Sequence, residues 1–133
     1  MATLTQKRSN LLRTALRANG LFSALSGILL ALGASQFPSL MGVGTSLFYG
    51  VLGVILLFHA GMLFFFTRTE TIRPAFAWYA ILGDVAWVLA TVVILLSNSI
   101  GLSSTGNWIL LIIGDIVLVF AIVQIIGVRR ASA

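Results

Sequence analysis

The stretch PAFAWYAILGDVAWVLATVVILL, residues 74–96, decides the fold class of this chain. It is almost entirely apolar and contains a single charged residue. A helix needs about 20 predominantly apolar residues to cross a hydrocarbon core of about 30 Å. Three other apolar stretches meet the same criterion, near residues 19–36, 46–67 and 107–128. The sequence therefore predicts an all-α, polytopic membrane protein, a single four-helix domain. Because the loops are short, we expect consecutive helices to pack as antiparallel neighbours in the bundle.

The composition excludes several classes of protein. Of the 133 residues, 59% are hydrophobic and 8% are charged, a balance that would cover a soluble domain with exposed apolar surface. The absence of cysteine excludes disulfides, thiolate metal sites and cysteine nucleophiles. The sequence has no nucleotide-binding glycine loop, catalytic triad or metal-ligand spacing, so we expect neither an enzyme nor a metal site.

The positive charges predict the orientation in the membrane. All eight Lys and Arg lie in the basic N-terminal tail (residues 1–18), in the segment 68–73 and at Arg129 and Arg130, while the other two loops contain no charge. The positive-inside rule then predicts that both termini face the cytoplasm. Because the charges mark helix ends, we expect no nucleic-acid partner. The expected partners are the lipid bilayer and either other membrane subunits or further copies of the chain.

The N-terminal tail has two interpretations. Between residues 4 and 17, Leu4, Leu11, Leu12 and Leu16 lie opposite a basic face, as in a short helix on the surface of an anionic leaflet. The alternative is a basic tail that only sets the orientation.

Two acids interrupt the apolar stretches, Asp84 in the third helix and Asp115 in the fourth. Both lie near mid-bilayer in the predicted topology, and no Lys or Arg lies within any span to pair with them, so we expect them to be at least partly protonated. If they lie at similar depth, they share a proton. A proton or cation relay and hydrogen-bonded helix packing both remain open. Each acid follows a glycine, Gly83 or Gly114, which suggests an inverted repeat.

Polar side chains form a stripe on each of two helices. We expect these faces to meet in the bundle interior, as ordinary packing or as the lining of a hydrated path. Gln124 is expected to lie at the cytoplasmic interface beside Arg129, with no special role. The stripes contain Thr91 and Asn98, which share a helix face with Asp84, and Asn19, Ser23 and Ser26 on the first helix.

The only histidine, His59, lies in the second helix. A face of small residues on that helix predicts its packing side, and His59 projects from the opposite side toward lipid, a ligand or another subunit. We expect a hydrogen-bonded structural histidine and no cofactor. The alternative is axial ligation of haem or chlorophyll, in which a bis-His site requires a dimer. The residues on this face are Gly50, Gly53, Ala60 and Gly61, together with Leu57.

Three stretches carry a resemblance to a known group of proteins: RANGLFSALSG at 17–27, DVAWVL at 84–89 and FAIVQIIG at 120–127. They resemble small four-helix prokaryotic membrane proteins of uncharacterised function. The resemblance implies the fold and a prokaryotic plasma (inner) membrane, and it supplies no activity. The size and helix number are also similar to the small multidrug resistance transporters. That family has a glutamate in its first helix, which this chain lacks, so the resemblance argues against drug-proton antiport.

Two functional hypotheses follow. The first is a non-enzymatic accessory or structural subunit, a scaffold within a membrane complex. The alternative is a small homo-oligomeric proton-coupled transporter or channel that uses Asp84 and Asp115.

Overall fold

The computed structural model describes the backbone of residues 2–132 and the side chains of residues 10–131. This part of the chain contains five helices and no strand. Four of the helices are long and apolar enough to cross a membrane, over Asn10–Leu32, Ser46–Phe66, Pro74–Ser97 and Ser104–Ala131. The all-α fold with four membrane spans is therefore confirmed. The helices are α1 (Ala2–Leu32), α2 (Phe37–Met41), α3 (Ser46–Phe66), α4 (Pro74–Ser97) and α5 (Ser104–Ser132).

Local sequence explains where the helices begin and end. The Thr45 hydroxyl accepts a hydrogen bond from the Phe48 N–H at 3.1 Å and caps the N-terminus of α3. Pro74 lies in the first turn of α4, where its missing N–H costs no intrahelical bond. Asn98 ends α4 in the left-handed region, with φ of 49°.

The first helix differs from the prediction, because the basic tail is not a separate segment. Residues 2–18 continue directly into the first span as part of α1. Leu12 and Leu16 are 3% and 0% exposed, in a core that includes Val128 of α5. The interpretation of these two leucines as facing a lipid leaflet is therefore wrong. An apolar stripe suits a lipid surface and a helix groove equally well, and here α3 and α5 are long enough to cover it.

The helices pack in the order α3, α1, α5, α4. Glycines allow the close approaches: a Cβ on Gly27 of α1 would lie 2.8 Å from the Gly53 carbonyl oxygen of α3, and one on Gly127 of α5 would lie 2.8 Å from the Cα of Leu12. The consecutive helices α3 and α4 have few backbone contacts, contrary to the expectation that all consecutive spans pack as neighbours. A Cβ added to Gly83 of α4 would have no neighbouring atom within 4 Å, so no other helix packs closely against this position.

The two ends of the bundle differ in charge and in packing. We call the end that contains the arginines the basic end, and the end that contains α2 the neutral end. Arg13 donates hydrogen bonds to the carbonyl oxygens of Thr67 and Glu70 and so fixes α1 to the loop between α3 and α4. The main core cluster lies toward the basic end, whereas an apolar cavity lies toward the neutral end. The core consists of Leu12, Leu16, Leu63, Phe76, Ala77, Ala80, Ile81 and Val128.

Candidate functional site

Four polar side chains from three helices form a hydrogen-bonded group inside the bundle, which we call the Asp84 cluster: Asn19 and Ser23 of α1, Asp84 of α4 and Gln124 of α5. Asn19 Nδ2 and Gln124 Nε2 each donate to Asp84 Oδ2 at 2.8 Å. Asn19 Nδ2 also donates to Gln124 Oε1 at 3.0 Å, and Ser23 Oγ donates to Asn19 Oδ1 at 3.2 Å. The cluster therefore joins α1, α4 and α5 through side chains alone.

All four members of the cluster are buried. Asn19 is 3% exposed, Ser23 5%, Asp84 8% and Gln124 0%. An unpaired polar group inside a membrane span costs several kcal/mol, and here each amide and hydroxyl has a partner. The protein thus tolerates the amides and the hydroxyl in its interior because each has a partner within the cluster.

The direction of the hydrogen bonds defines what the cluster does chemically. Both amide donors converge on Oδ2 of Asp84, which suits an acceptor carboxylate. Within the described part of the chain, Oδ1 of Asp84 receives no hydrogen bond. A proton or a cation that binds Asp84 can therefore use Oδ1 without breaking either amide bond.

Helical spacing explains the geometry of the cluster. Ala77, Ala80 and Thr91 are buried on the same side of α4 as Asp84, so this side faces α1 and α5. Asn19 and Ser23 are one turn apart on α1 and lie on one face. Because alanines flank Asp84, the neighbouring helices approach closely enough for both amides to reach its carboxyl.

The structure does not bring Asp84 and Asp115 together. Asp115 is exposed on the outer side of α5. Gln124, which bonds Asp84, lies nine residues further along α5, or about 14 Å along the helix axis. The expectation of similar depth and a shared proton is therefore wrong. The two Gly-Asp pairs also have opposite burial, because Gly114 is buried and Asp115 exposed, whereas Gly83 is exposed and Asp84 buried.

The predicted polar stripes are divided by the structure. Asn19 and Ser23 join the Asp84 cluster. Thr91 is buried but donates to the carbonyl oxygen of Trp87 at 2.9 Å and packs against Gly114, outside the cluster. Asn98 is exposed at the end of α4, and Ser26 is half-buried.

His59 is half-buried and faces α4 across the gap beside α3. Its Nδ1 lies 3.4 Å from the Tyr79 hydroxyl, and the two ring centroids are 5.9 Å apart. Gly53 and Ala60 are buried on the opposite side, as the small-residue face predicted, whereas a Cβ on Gly61 would meet nothing within 4 Å. The described residues contain no group of three or more His, Cys, Asp or Glu that could hold a metal ion.

Sequence reasoning missed two residues, Gln124 and Trp87. Gln124 is fully buried in the Asp84 cluster, so the prediction that it lies at the interface is wrong. Gly114 and Ala121, two small residues seven apart in an apolar helix, indicate a packing face, and Gln124 lies one turn after Ala121. This spacing was the signal that could have identified its inward side. Trp87 lies in mid-span, unlike the tryptophans at helix ends, and its indole Nε1 is buried without a hydrogen-bond partner among the described residues.

Trp87 also lines the apolar cavity, which has a volume of about 460 Å³ and lies between α3 and α4. Tyr49 and Leu52 of α3 and Trp87, Ala90 and Ile94 of α4 line it on two sides. The other three helices complete the lining with Leu30 of α1, Phe37 and Met41 of α2, and Ile109, Leu110 and Ile113 of α5. It contains none of the residues of the Asp84 cluster, so the molecule has two separate internal features.

No family model, curated protein or solved structure matches the chain. The resemblance to small four-helix prokaryotic membrane proteins therefore stays a prediction.

Proposed function

We propose that this chain is a non-enzymatic integral membrane protein, an accessory or structural subunit of a membrane complex, that contacts its partner through the outer face of α5. The observation that carries the proposal is the exposed carboxyl of Asp115 inside a membrane span. An exposed acid at this depth needs a partner that the bilayer does not supply.

The depth of Asp115 supports this role. It lies eight residues after Asn107 and fourteen before Arg129, or about 12 Å and 21 Å along the helix. A carboxylate at the centre of a span costs roughly 2.5–3.5 kcal/mol on insertion scales, and such groups usually face protein or water. A hydrogen-bond donor or a cation on a partner helix removes that cost. The partner surface we propose is therefore apolar, with one donor at the depth of Asp115.

The surroundings of Asp115 fit a helix-helix contact. Apolar association alone is weak in lipid, and interhelical hydrogen bonds add specificity. A groove of about 590 Å³ between α4 and α5 lies at the neutral end of the same side and contains Asn98 and Asn107. We call this side the Asp115 face; its exposed apolar residues are Trp108, Leu111, Ile112, Leu118, Val119 and Ile122.

Photocrosslinking tests the proposed contact. A photoreactive amino acid at Val119, 58% exposed on the Asp115 face, is expected to give a protein adduct in native membranes. The matched control is Leu29, 66% exposed on α1. Asp115→Leu is expected to abolish the Val119 adduct. Adducts of equal yield at both positions, or an adduct that survives Asp115→Leu, would refute the proposal.

We also propose a location in a prokaryotic plasma (inner) membrane, with both termini in the cytoplasm. The clustering of the arginines at the basic end supports this orientation through the positive-inside rule. Since the chain has no cysteine, Ser104→Cys and Ala131→Cys report the two ends cleanly. A membrane-impermeant maleimide added to intact cells should label Cys at 104 and not at 131; the reverse pattern contradicts the orientation.

The second candidate is a small homo-oligomeric proton-coupled transporter or channel. The free Oδ1 of Asp84, inside a cluster that joins three spans, favours it. Asp84→Asn and Asp115→Asn, singly and together, separate the two candidates. A transporter loses pH-dependent flux in liposomes, whereas a subunit of a complex still assembles when Asp84 alone is changed.

A further inference from the structure

We propose that the apolar cavity between α3 and α4 binds one hydrocarbon chain of a phospholipid from the leaflet at the neutral end. This site is independent of the Asp115 face, and it does not share a residue with the Asp84 cluster.

The shape of the gap between α3 and α4 creates the cavity. Near the basic end the two helices meet through the stacked rings of Phe66 and Phe76, whose centroids are 4.6 Å apart, and through the contact of His59 with Tyr79. Beyond this point no close packing joins them, and a Cβ on Gly83 would meet nothing within 4 Å. The gap is therefore closed near the basic end, and the cavity lies beyond this contact, toward the neutral end.

The length of the cavity matches one leaflet. Its α4 wall runs from Trp87 to Ile94, seven residues or about 10 Å, and the lining continues to Ile100 and Leu102 in the next loop. Half of a hydrocarbon core is about 15 Å thick. The cavity thus extends from mid-span to the level of the lipid headgroups.

The chemistry of the lining excludes water and ions as the main occupant. Of the lining residues only Tyr49, Trp87 and Thr91 have a polar side-chain atom. The Tyr49 hydroxyl already donates to the Val43 carbonyl at 2.6 Å, and the Thr91 hydroxyl donates within α4. The Trp87 indole N–H is then the one side-chain donor of the lining without a partner among the described residues. A buried water needs about two to four polar partners, which this lining does not provide. A hydrocarbon occupant needs none.

The enclosure of the cavity favours a lipid chain over a protein helix. The cavity has a volume of about 460 Å³, and all five helices contribute to its lining. An enclosure of this kind suits a thin, flexible hydrocarbon chain better than a helix, which is about 10–12 Å wide with its side chains. Small-ligand cavities span roughly 300–1,000 Å³. Both loops at the neutral end lack charge, which suits a zwitterionic headgroup.

Trp87 reports occupancy, because its indole ring lines the cavity. Trp78→Phe with Trp108→Phe leaves Trp87 as the single tryptophan. This variant, in a mild detergent, is titrated with phosphatidylcholine whose chains carry bromine, an atom that quenches tryptophan on contact. We expect saturable quenching that ends at one phospholipid per chain.

Two matched substitutions on α4 test the position of the site. Both Ala90 and Ala86 are exposed, but only Ala90 lines the cavity. Ala90→Leu is expected to reduce the quenching several-fold, and Ala86→Leu to leave it unchanged, with circular dichroism showing equal helix content. Quenching that rises without saturation, or that both variants leave unchanged, overturns the site. Saturable quenching by brominated stearic acid but not by the phospholipid overturns the assignment of the ligand.

Discussion

Replacing Gln124 with leucine removes the α5 member of the Asp84 cluster while nearly preserving side-chain volume. Two hydrogen bonds disappear, the 2.8 Å donation to the Asp84 carboxyl and the 3.0 Å acceptance from Asn19. A bond to a charged group contributes about 1.5–3 kcal/mol and a neutral one about 0.5–1.5. Interhelical bonds measured inside membranes average about 0.6 kcal/mol and reach about 1.7. Between these scales we expect Gln124→Leu to lower the free energy of unfolding by about 2 kcal/mol.

Unfolding by sodium dodecyl sulfate in mixed micelles measures this loss, because the helices persist in the denatured state and the cost of membrane insertion cancels. Asp115→Leu is the matched control, since it replaces an exposed polar residue of the same helix. The coupling of Gln124→Leu with Asp84→Leu in a double-mutant cycle should be about 1 kcal/mol. A loss below about 0.5 kcal/mol for Gln124→Leu, or no coupling, would refute the stabilising role of the Asp84 cluster.

Two further predictions concern helix packing and the loop at the basic end. Gly27→Ala inserts a methyl group 2.8 Å from a carbonyl oxygen of α3, so it should cost about 1–3 kcal/mol in the same unfolding assay. Gly83→Ala is the control and should cost nothing, because the space around Gly83 is open. Equal losses for the two variants would contradict the packing of α1 against α3. Arg13→Gln removes the side chain that fixes the loop between α3 and α4. Trypsin should therefore cleave after Arg68 faster in this variant than in the control Arg17→Gln, which changes an exposed arginine. Equal cleavage rates in the two variants would contradict the contact of Arg13 with the loop.

The spans were predictable because apolar length is a direct consequence of bilayer thickness. The continuity of the first helix was not, because the basic residues of the tail suggested a separate surface helix or an orienting tail, whereas α1 runs without a break from Ala2 to Leu32. The packing order was also beyond the sequence. In a membrane the lipid-facing and protein-facing sides of a helix are both apolar, so periodicity does not identify the neighbour. No sequence feature indicates the gap between α3 and α4: a glycine such as Gly83 favours close packing, and the structure has none there.

The candidate site was predictable in part. Asp84, Asn19 and Ser23 stood out as polar residues within apolar helices, and the structure brings them together. The prediction for Gln124 was wrong because the fourth span was taken to end just before Arg129 and Arg130. The helix α5 continues to Ser132, so Gln124 lies eight residues, or about 12 Å, from the helix end. Asp115 follows a glycine, as Asp84 does, so the sequence does not distinguish them. In the structure Gly114 packs against Thr91, and Asp115 next to it is exposed.

The most direct test of the proposed role is native mass spectrometry of the chain extracted in mild detergent from its own membranes, with Asp115→Leu as the comparison. We predict that the wild-type chain carries one or more different membrane subunits and that Asp115→Leu releases them while remaining folded. A wild-type spectrum that contains only the bare chain, or only copies of it, would contradict the accessory role, and copies alone would shift the weight to transport.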